Sequence, residues 1–259
     1  MLIDYHIHTI MSGDAEGELT EYLKTAQARG LTEIGFSDHF HVKKQDYSMS
    51  RTKLAEYVRK VEAFKKTVDF PIKLGLEIDF ISGLENEIVD VLRIANFDYV
   101  IGSVHFIDGW GFDDPKYIAE YQKWDVNKLY CAYFGLVQQC AKSRLFNIIG
   151  HADLIKKFNY RPKGDITEIY LETVEAFKKS NVCVEVNTRG LMVPCNEIYP
   201  SKVFLKMCFE AGIPITLGSD AHSPKEVGNG FSQAVKLIRE VGYEKIARFS
   251  KCKMELVSV

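Results

Sequence analysis

An α/β fold built on a parallel sheet is the class this sequence predicts, and three observations predict it. Strand-like and helix-like patterns alternate seven times along the 259 residues. No Gly/Ser/Pro-rich linker interrupts the alternation, so a single domain is expected over residues 1–259. The residues with metal-binding chemistry fall at the ends of the apolar strand patterns, and parallel strands gather those ends at one face.

The elements follow in order. Residues 2–6 read as a strand. Residues 17–29 read as a helix, with Leu19, Tyr22, Leu23 and Ala26 on one face and Gly30 placed to end it. Strand 31–36 precedes helix 51–68, where Leu54, Tyr57, Val58, Val61 and Phe64 align. Strand 72–78 leads into helix 84–94, and strand 97–103 into helix 127–142. Strand 145–149 is followed by helix 166–178, strand 182–186 by helix 201–210, and strand 213–217 by helix 231–241. Residues 254–257 make a further short strand. Units of this kind join parallel strands through crossover helices. The pattern alone leaves open whether the sheet stays open or closes into a barrel. Residues 106–124 form the longest stretch without an assignment and are rich in Gly, Asp and aromatics. Long loops of this kind are commonly functional.

Composition bounds the function. Apolar residues make up 46% and charged residues 26%, with a net charge of -2, which is ordinary for a globular protein. Near-balanced charge gives no support for a general nucleic-acid or membrane surface and leaves a local basic pocket open. No apolar stretch reaches the length of a membrane span, and no basic-then-apolar leader suggests a signal peptide. The cysteines (Cys131, Cys140, Cys183, Cys195, Cys208, Cys252) form no CxxC pair. They read as buried, reduced thiols of a cytoplasmic protein.

The chemistry begins at Asp4-Tyr5-His6-Ile7-His8-Thr9, where strand periodicity points His6 and His8 to the same side. His39 follows the second strand, Glu77 the third, His105 the fourth and His151 the fifth. Glu185 and Asn187 end the sixth strand, and Asp220 and His222 the seventh. So much polarity after apolar runs is costly to bury unless it is paired or bound. With Asp14, the candidate ligands are His6, His8, Asp14, His39, Glu77, His105, His151, Asp220 and His222. These nine exceed the needs of one ion. They imply two or three divalent metals, with Glu77 able to bridge. Manganese, iron, cobalt and zinc suit such mixed nitrogen and oxygen donors. Clustered metals with a shared water point to phosphate-ester hydrolysis. His41, in the loop after His39, reads as exposed or substrate-facing.

These motifs together resemble the PHP family, named for polymerase and histidinol phosphatase. The resemblance rests on His6-Ile7-His8-Thr9, Ser37-Asp38-His39, Gly75-Leu76-Glu77 and Ser219-Asp220-Ala221-His222, completed by Gly102-Ser103-Val104-His105 and Gly150-His151. It implies a distorted (β/α)7 barrel with a trinuclear centre. One metal would be held by His6, His8, Glu77 and Asp220, a second by Glu77, His105 and His151, and a third by Asp14, His39 and His222. The length, the single-domain plan and Asp14 are similar to the branch that hydrolyses L-histidinol phosphate in histidine biosynthesis. Some other members carry His where Asp14 stands.

A hydroxide shared between metals and held by Glu77, Asp220 and His222 is then expected to attack phosphorus in line. A metal-bound water, Asp38 or His41 would protonate the leaving alkoxide. Arg161 and Arg189 follow strands on the expected active face and suit phosphate oxygens. Lys157, Tyr117 and His41 are further substrate-side candidates. The expected partner is a small phosphomonoester, not nucleic acid or membrane. Competing readings are another phosphoesterase of the family, acting on phosphotyrosine, nucleotides or DNA ends; a structural module; and an amidohydrolase. A nuclease would want a basic track with stacking aromatics, and none is evident. A structural module would lack ligands, whereas the set looks complete. Amidohydrolases usually bridge metals through a lysine, and Glu77 takes that place here.

Overall fold

The computed structural model describes residues 1–43 and 45–259. Its elements begin with β1 (Ile3–Asp4), α1 (Leu19–Ala28), β2 (Glu33–Phe36), β3 (His39–Phe40), α2 (Arg51–Lys65), β4 (Ile72–Leu74) and β5 (Glu77–Asp79). They continue with α3 (Glu85–Leu92), β6 (Ile101–Ser103), β7 (Phe106–Ile107), β8 (Trp110–Gly111), α4 (Val126–Ser143), β9 (Ile148–Ile149) and α5 (Thr167–Ser180). β10 (Cys183–Asn187), α6 (Lys202–Glu210), β11 (Ile215–Gly218), α7 (Phe231–Val241), β12 (Lys245–Ser250) and β13 (Lys253–Ser258) complete the chain. Local chemistry sets several of the helix starts. Ser50 accepts a hydrogen bond from Lys53 N at the head of α2, and Asp125 does the same for Lys128 N at α4.

Nine strands lie parallel in two sheets, ordered β1-β2-β4 and β11-β10-β9-β6-β5-β3, and β7–β8 and β12–β13 are antiparallel pairs. The fold is therefore α/β with crossover helices, as the alternation predicts. The expected strand 72–78 is divided between the sheets as β4 and β5. Tyr99 sits at that break. Its ring occupies the space that a Cβ on Gly35 or Gly75 would need, and its hydroxyl donates to Tyr5 O at 2.6 Å. Beyond the paired strands, Tyr5 N donates to Leu217 O at 3.1 Å and His8 N to Ala221 O at 2.9 Å. The buried Asp4 carboxylate accepts from Ser219 N at 2.9 Å and Gly228 N at 2.9 Å. β1 is thus fastened to the segment that follows β11. Burial lifts the Asp4 carboxyl to about 6, although these hydrogen bonds favour its ionised form.

Three expectations need correction. Residues 245–250 form β12, antiparallel to β13, where the pattern shows only the final strand. Its outward residues are charged, and its inward ones, Ile246, Ala247 and Phe249, are too few to separate it from the end of α7. Residues 106–124, left without an assignment by the pattern, hold regular structure. They hold the β7–β8 hairpin and a 3-10 helix, Pro115–Lys123, begun by Asp114 accepting from Lys116 N at 2.8 Å. All six cysteines are free, but Cys131 and Cys252 are exposed. Cys131 lies on the outer face of α4, and Cys252 in the turn between β12 and β13. Among the described residues, no helix is long and apolar enough to cross a membrane.

Candidate metal centre

Six histidines and three carboxylates converge at one end of the parallel sheets; His6, His8, His105, His151, Asp220 and His222 follow the C-terminal ends of their strands, whereas His39 and Glu77 open β3 and β5. Three sets of donor atoms lie within 4.8 Å of one another: His6, His8 and Asp220; His6, Glu77 and His151; and His8, His39 and His222. Glu77 stands between them. Its Oε1 is 3.1 Å from His151 Nε2, 3.3 Å from His6 Nε2 and 3.9 Å from His105 Nε2. Its Oε2 is 2.5 Å from His39 Nδ1 and 3.8 Å from His8 Nε2. Asp220 Oδ1 lies 3.2 Å from His8 Nε2 and 3.5 Å from His222 Nδ1. Asp14 Oδ2 faces the Nε2 atoms of His39 and His222, each at 3.6 Å. All nine sequence-predicted ligands therefore share one site. The backbone helps aim two of them. His151 and Asp220 hold positive φ angles of 22° and 56°, which non-glycine residues rarely adopt.

The electrostatics suit cations. Burial would raise the Glu77 and Asp220 carboxyls, but nearby imidazoles, His6 foremost, hold both well below the ordinary range. Burial would likewise raise Asp14, and the neighbouring rings of His222 and His39 bring it down to about 2. Burial and the neighbouring His39 and His222 push His8 down to about 3, so its ring is a neutral donor. His6 Nε2 and His8 Nε2 are buried without hydrogen-bond partners. Each such orphan costs about 1–3 kcal/mol. Orphaned ring nitrogens turned toward the oxygens of Glu77 and Asp220 fit divalent ions.

A second set of residues holds the first. Asp79 Oδ1 lies 2.5 Å from His105 Nδ1. Glu185 Oε1 lies 2.6 Å from His6 Nδ1. Asp38 accepts from Thr9 N at 2.7 Å, Thr9 Oγ1 at 2.9 Å, Ser12 N at 3.1 Å and Ser12 Oγ at 2.6 Å, and so fixes the loop that carries Asp14. Glu185 stands at the end of the sixth strand pattern with no role assigned to it, and Asp79 is not among the residues the pattern singles out. The spacing Glu77-x-Asp79, with both residues on one side of a strand, is the signal that could have found Asp79.

The centre opens into a cavity of about 1000 Å³. Arg189, Lys157 and Tyr117 line it. Arg189 Nη1 is 2.8 Å from Glu226 Oε2, and Lys157 Nζ is 3.2 Å from Asp113 Oδ2. Arg161 and His41 are not brought to it. Arg161 Nη2 is paired at 2.8 Å with Glu197, which draws its guanidinium away from the cavity. His41 is buried, with Nδ1 2.5 Å from Lys43 O and 2.9 Å from Lys43 N. Asp38 is also fully buried against the loop it braces, so neither of the two expected side-chain acids faces the cavity. The insertion supplies an acidic wall, Asp108, Asp113, Asp114 and Glu120, beside Trp110.

Comparison with known proteins fits this geometry. The model of the PHP domain matches residues 4–189. A Deinococcus radiodurans protein named "Probable histidinol-phosphatase" is 39% identical over 93% of this chain and 94% of its own length. The histidinol-phosphatase of Lactococcus lactis is 29% identical over 98% of this chain and 96% of its own. The crystal structure of the histidinol phosphate phosphatase of Lactococcus lactis, complexed with zinc, L-histidinol and phosphate, superposes with a TM-score of 0.83 at 26% identity, covering 98% of each chain. From its motifs, its converging ligands and these matches, the chain belongs to the PHP domain family.

Proposed function

We propose that this chain is a metal-dependent phosphatase that hydrolyses L-histidinol phosphate to L-histidinol and phosphate, a step of histidine biosynthesis in the cytoplasm. The observation that carries the proposal is the cluster of nine donors at the floor of one cavity. The chain around it is similar to histidinol-phosphatases along nearly its whole length. We take the chain as a single domain over residues 1–259. We read its two sheets as arcs of one distorted (β/α)7 barrel, a reading supported by the hydrogen bond from Tyr5 N to Leu217 O.

His6, His8, Glu77 and Asp220 would hold one ion, Glu77, His105 and His151 a second, and Asp14, His39 and His222 a third. The Lactococcus lactis neighbour holds zinc, and manganese or iron suits the same donors. Bound ions supply positive charge for the phosphoryl oxygens and make water acidic enough to attack at neutral pH. Glu77, Asp220 and His222 are assigned to holding that water. Arg189 orients the phosphate through charge-assisted hydrogen bonds. Lys157 and Tyr117 complete the cavity's polar lining. The departing alkoxide takes its proton from water in the cavity, since Asp38 and His41 face elsewhere.

Charge supports an amino alcohol as the other half of the substrate. Asp108, Asp113, Asp114 and Glu120 line the cavity into which the histidine cluster opens, Asp113 paired with Lys157 and Glu120 with Lys123. Such a wall attracts an ammonium group and repels a nucleic-acid backbone. The test is phosphate release from L-histidinol phosphate, beside p-nitrophenyl phosphate, a phosphotyrosine peptide and single-stranded DNA, with zinc or manganese added. A kcat/KM higher for L-histidinol phosphate by up to roughly 150-fold is expected, since charge-assisted binding at the acidic wall adds about 3 kcal/mol at most. Equal rates on all monoesters would remove the assignment of substrate.

A further inference from the structure

Glu185 is a buried carboxylate whose partners all belong to the candidate centre. Its Oε1 is 2.6 Å from His6 Nδ1, and its Oε2 accepts from His151 N at 2.7 Å. Asn187 Nδ2 also donates to Oε2 at 3.1 Å, and reaches Asp220 Oδ2 at 3.3 Å. The orientation of the Asn187 amide is fixed, because its Oδ1 accepts from Arg189 N at 2.9 Å. Space for the carboxylate exists because residue 218 is glycine, whose Cβ would collide with Glu185 Oε1.

We propose that Glu185 is a positioning residue that selects the tautomer of His6 and fixes the backbone of His151, so that two separate ligand strands present their donors to the ions together. A carboxylate only accepts, so His6 must carry a proton on Nδ1, which leaves the Nε2 lone pair facing Glu77 and Asp220. Nε2 is the atom that is buried without a hydrogen-bond partner. At the other oxygen, the accepted N–H holds His151 at its positive φ of 22°. This inference rests on the metal-centre reading above, and it adds a residue that is not itself a ligand.

The hydrogen-bond pattern makes an unusual forecast for Glu185→Gln. The amide has one accepting atom. Two donors that cannot change, His151 N and Asn187 Nδ2, meet at the Oε2 position, so the amide oxygen must stay there. The NH2 group then faces His6 Nδ1 and forces the ring proton to Nε2, where it blocks the ion. Glu185→Ala removes the guide without imposing the wrong tautomer. The isosteric variant should therefore be worse than the truncated one, the reverse of what a packing role gives.

The experiment measures zinc affinity and stoichiometry, by chelator competition and elemental analysis, for the wild type, Glu185→Gln, Glu185→Ala and Glu185→Asp. The expected result is a loss of roughly 10- to 100-fold in affinity for at least one ion in Glu185→Gln. Glu185→Ala should lose less, and Glu185→Asp should recover part of the loss. Wild-type affinity in Glu185→Gln, or a greater loss in Glu185→Ala, would overturn the inference and leave the metal centre standing. A wild type that takes up no zinc would overturn both. If the variants do not fold, 15N-edited NMR of the zinc-loaded wild type decides: a proton on His6 Nδ1 is expected, and one on Nε2 would refute the assignment.

Discussion

Asp79 Oδ1 lies 2.5 Å from His105 Nδ1, and this contact turns the opposite nitrogen of the ring to within 3.3 Å of His151 Nε2. Tyr47 donates to the second oxygen of Asp79 at 2.8 Å. A chain of side chains outside the cluster thus aims a ring inside it. Asp79→Ala is expected to weaken metal binding about 10- to 100-fold. Tyr47→Phe, which leaves the carboxylate in place, should cost less. Competition with a chromophoric chelator measures both, and an Asp79→Ala protein with unchanged affinity would remove this role.

The two arginines predicted for phosphate part company. Each is paired with a glutamate, Arg189 with Glu226 and Arg161 with Glu197, but Arg189 lines the cavity and Arg161 does not. Loss of a charge-assisted hydrogen bond costs about 1.5–3 kcal/mol, equivalent to roughly 10- to 150-fold. Arg189→Ala should raise KM for L-histidinol phosphate by about that factor with metal content unchanged. Arg161→Ala should leave KM where it is. Steady-state kinetics with elemental analysis tests the pair, and the opposite ranking would return Arg161 to the site.

Acidity should couple to metal loading. Burial lowers the basicity of His39 and His105, but Glu77 for the first and Asp79 for the second outweigh it, so that they rise from 6.5 to about 9 and about 10. A histidine raised by folding stabilises fully below its unfolded value, and that contribution is lost as pH climbs through the folded value. The metal-free protein should therefore lose stability between about pH 6.5 and pH 10 through these groups. The loaded protein should lack this dependence, because the ions have replaced the protons. Calorimetry at neutral pH in buffers of different ionisation enthalpy should register release of about three protons on loading, from His39, His105 and His6. Burial would lower the His6 ring, but Glu185 and Glu77 hold it well above the ordinary range. Parallel stability profiles with and without metal would contradict the coupling.

Stability and chemistry should separate at Phe204. Its ring is fully buried on α6 and stacks on Tyr170 at 4.5 Å and 6°, with the Phe134 ring edge-on at 5.6 Å. None of these rings lines the cavity. Phe204→Ala should cost about 3–5 kcal/mol in urea unfolding while kcat of the folded fraction stays constant. A large fall in kcat at full folding would show that the α4–α5–α6 packing reaches the site.

Much of the site was legible because parallel α/β topology maps strand ends onto one face. His6, His105 and Asp220 are far apart in sequence, yet each follows an apolar run, and that alone brings them together. Their supports were harder to read. Glu185 lies between apolar neighbours on β10 like any strand residue, and only the three-dimensional approach of His6 and of His151 N gives it partners. Arg161 had the right loop but the wrong neighbour, since Glu197 comes from a segment whose approach no local pattern encodes. His41 is two residues from a ligand, and its ring turns back onto the Lys43 backbone. β12 was missed because its pairing depends on a partner strand more than on its own alternation.

The bond from Ser219 N to Asp4 joins residues 215 positions apart. Closing a loop of that length is entropically expensive and contributes nothing until both ends are in place. The strand bearing His6 and His8 can pair with β2 locally, but its contact with the segment after β11 needs both ends of the chain, so the full set of donors is expected to assemble late on the folding path. Ions would then bind a structure formed after the rate-limiting barrier. Their stabilisation belongs to the return path: they slow the escape from the native state and leave the rate of reaching it nearly unchanged.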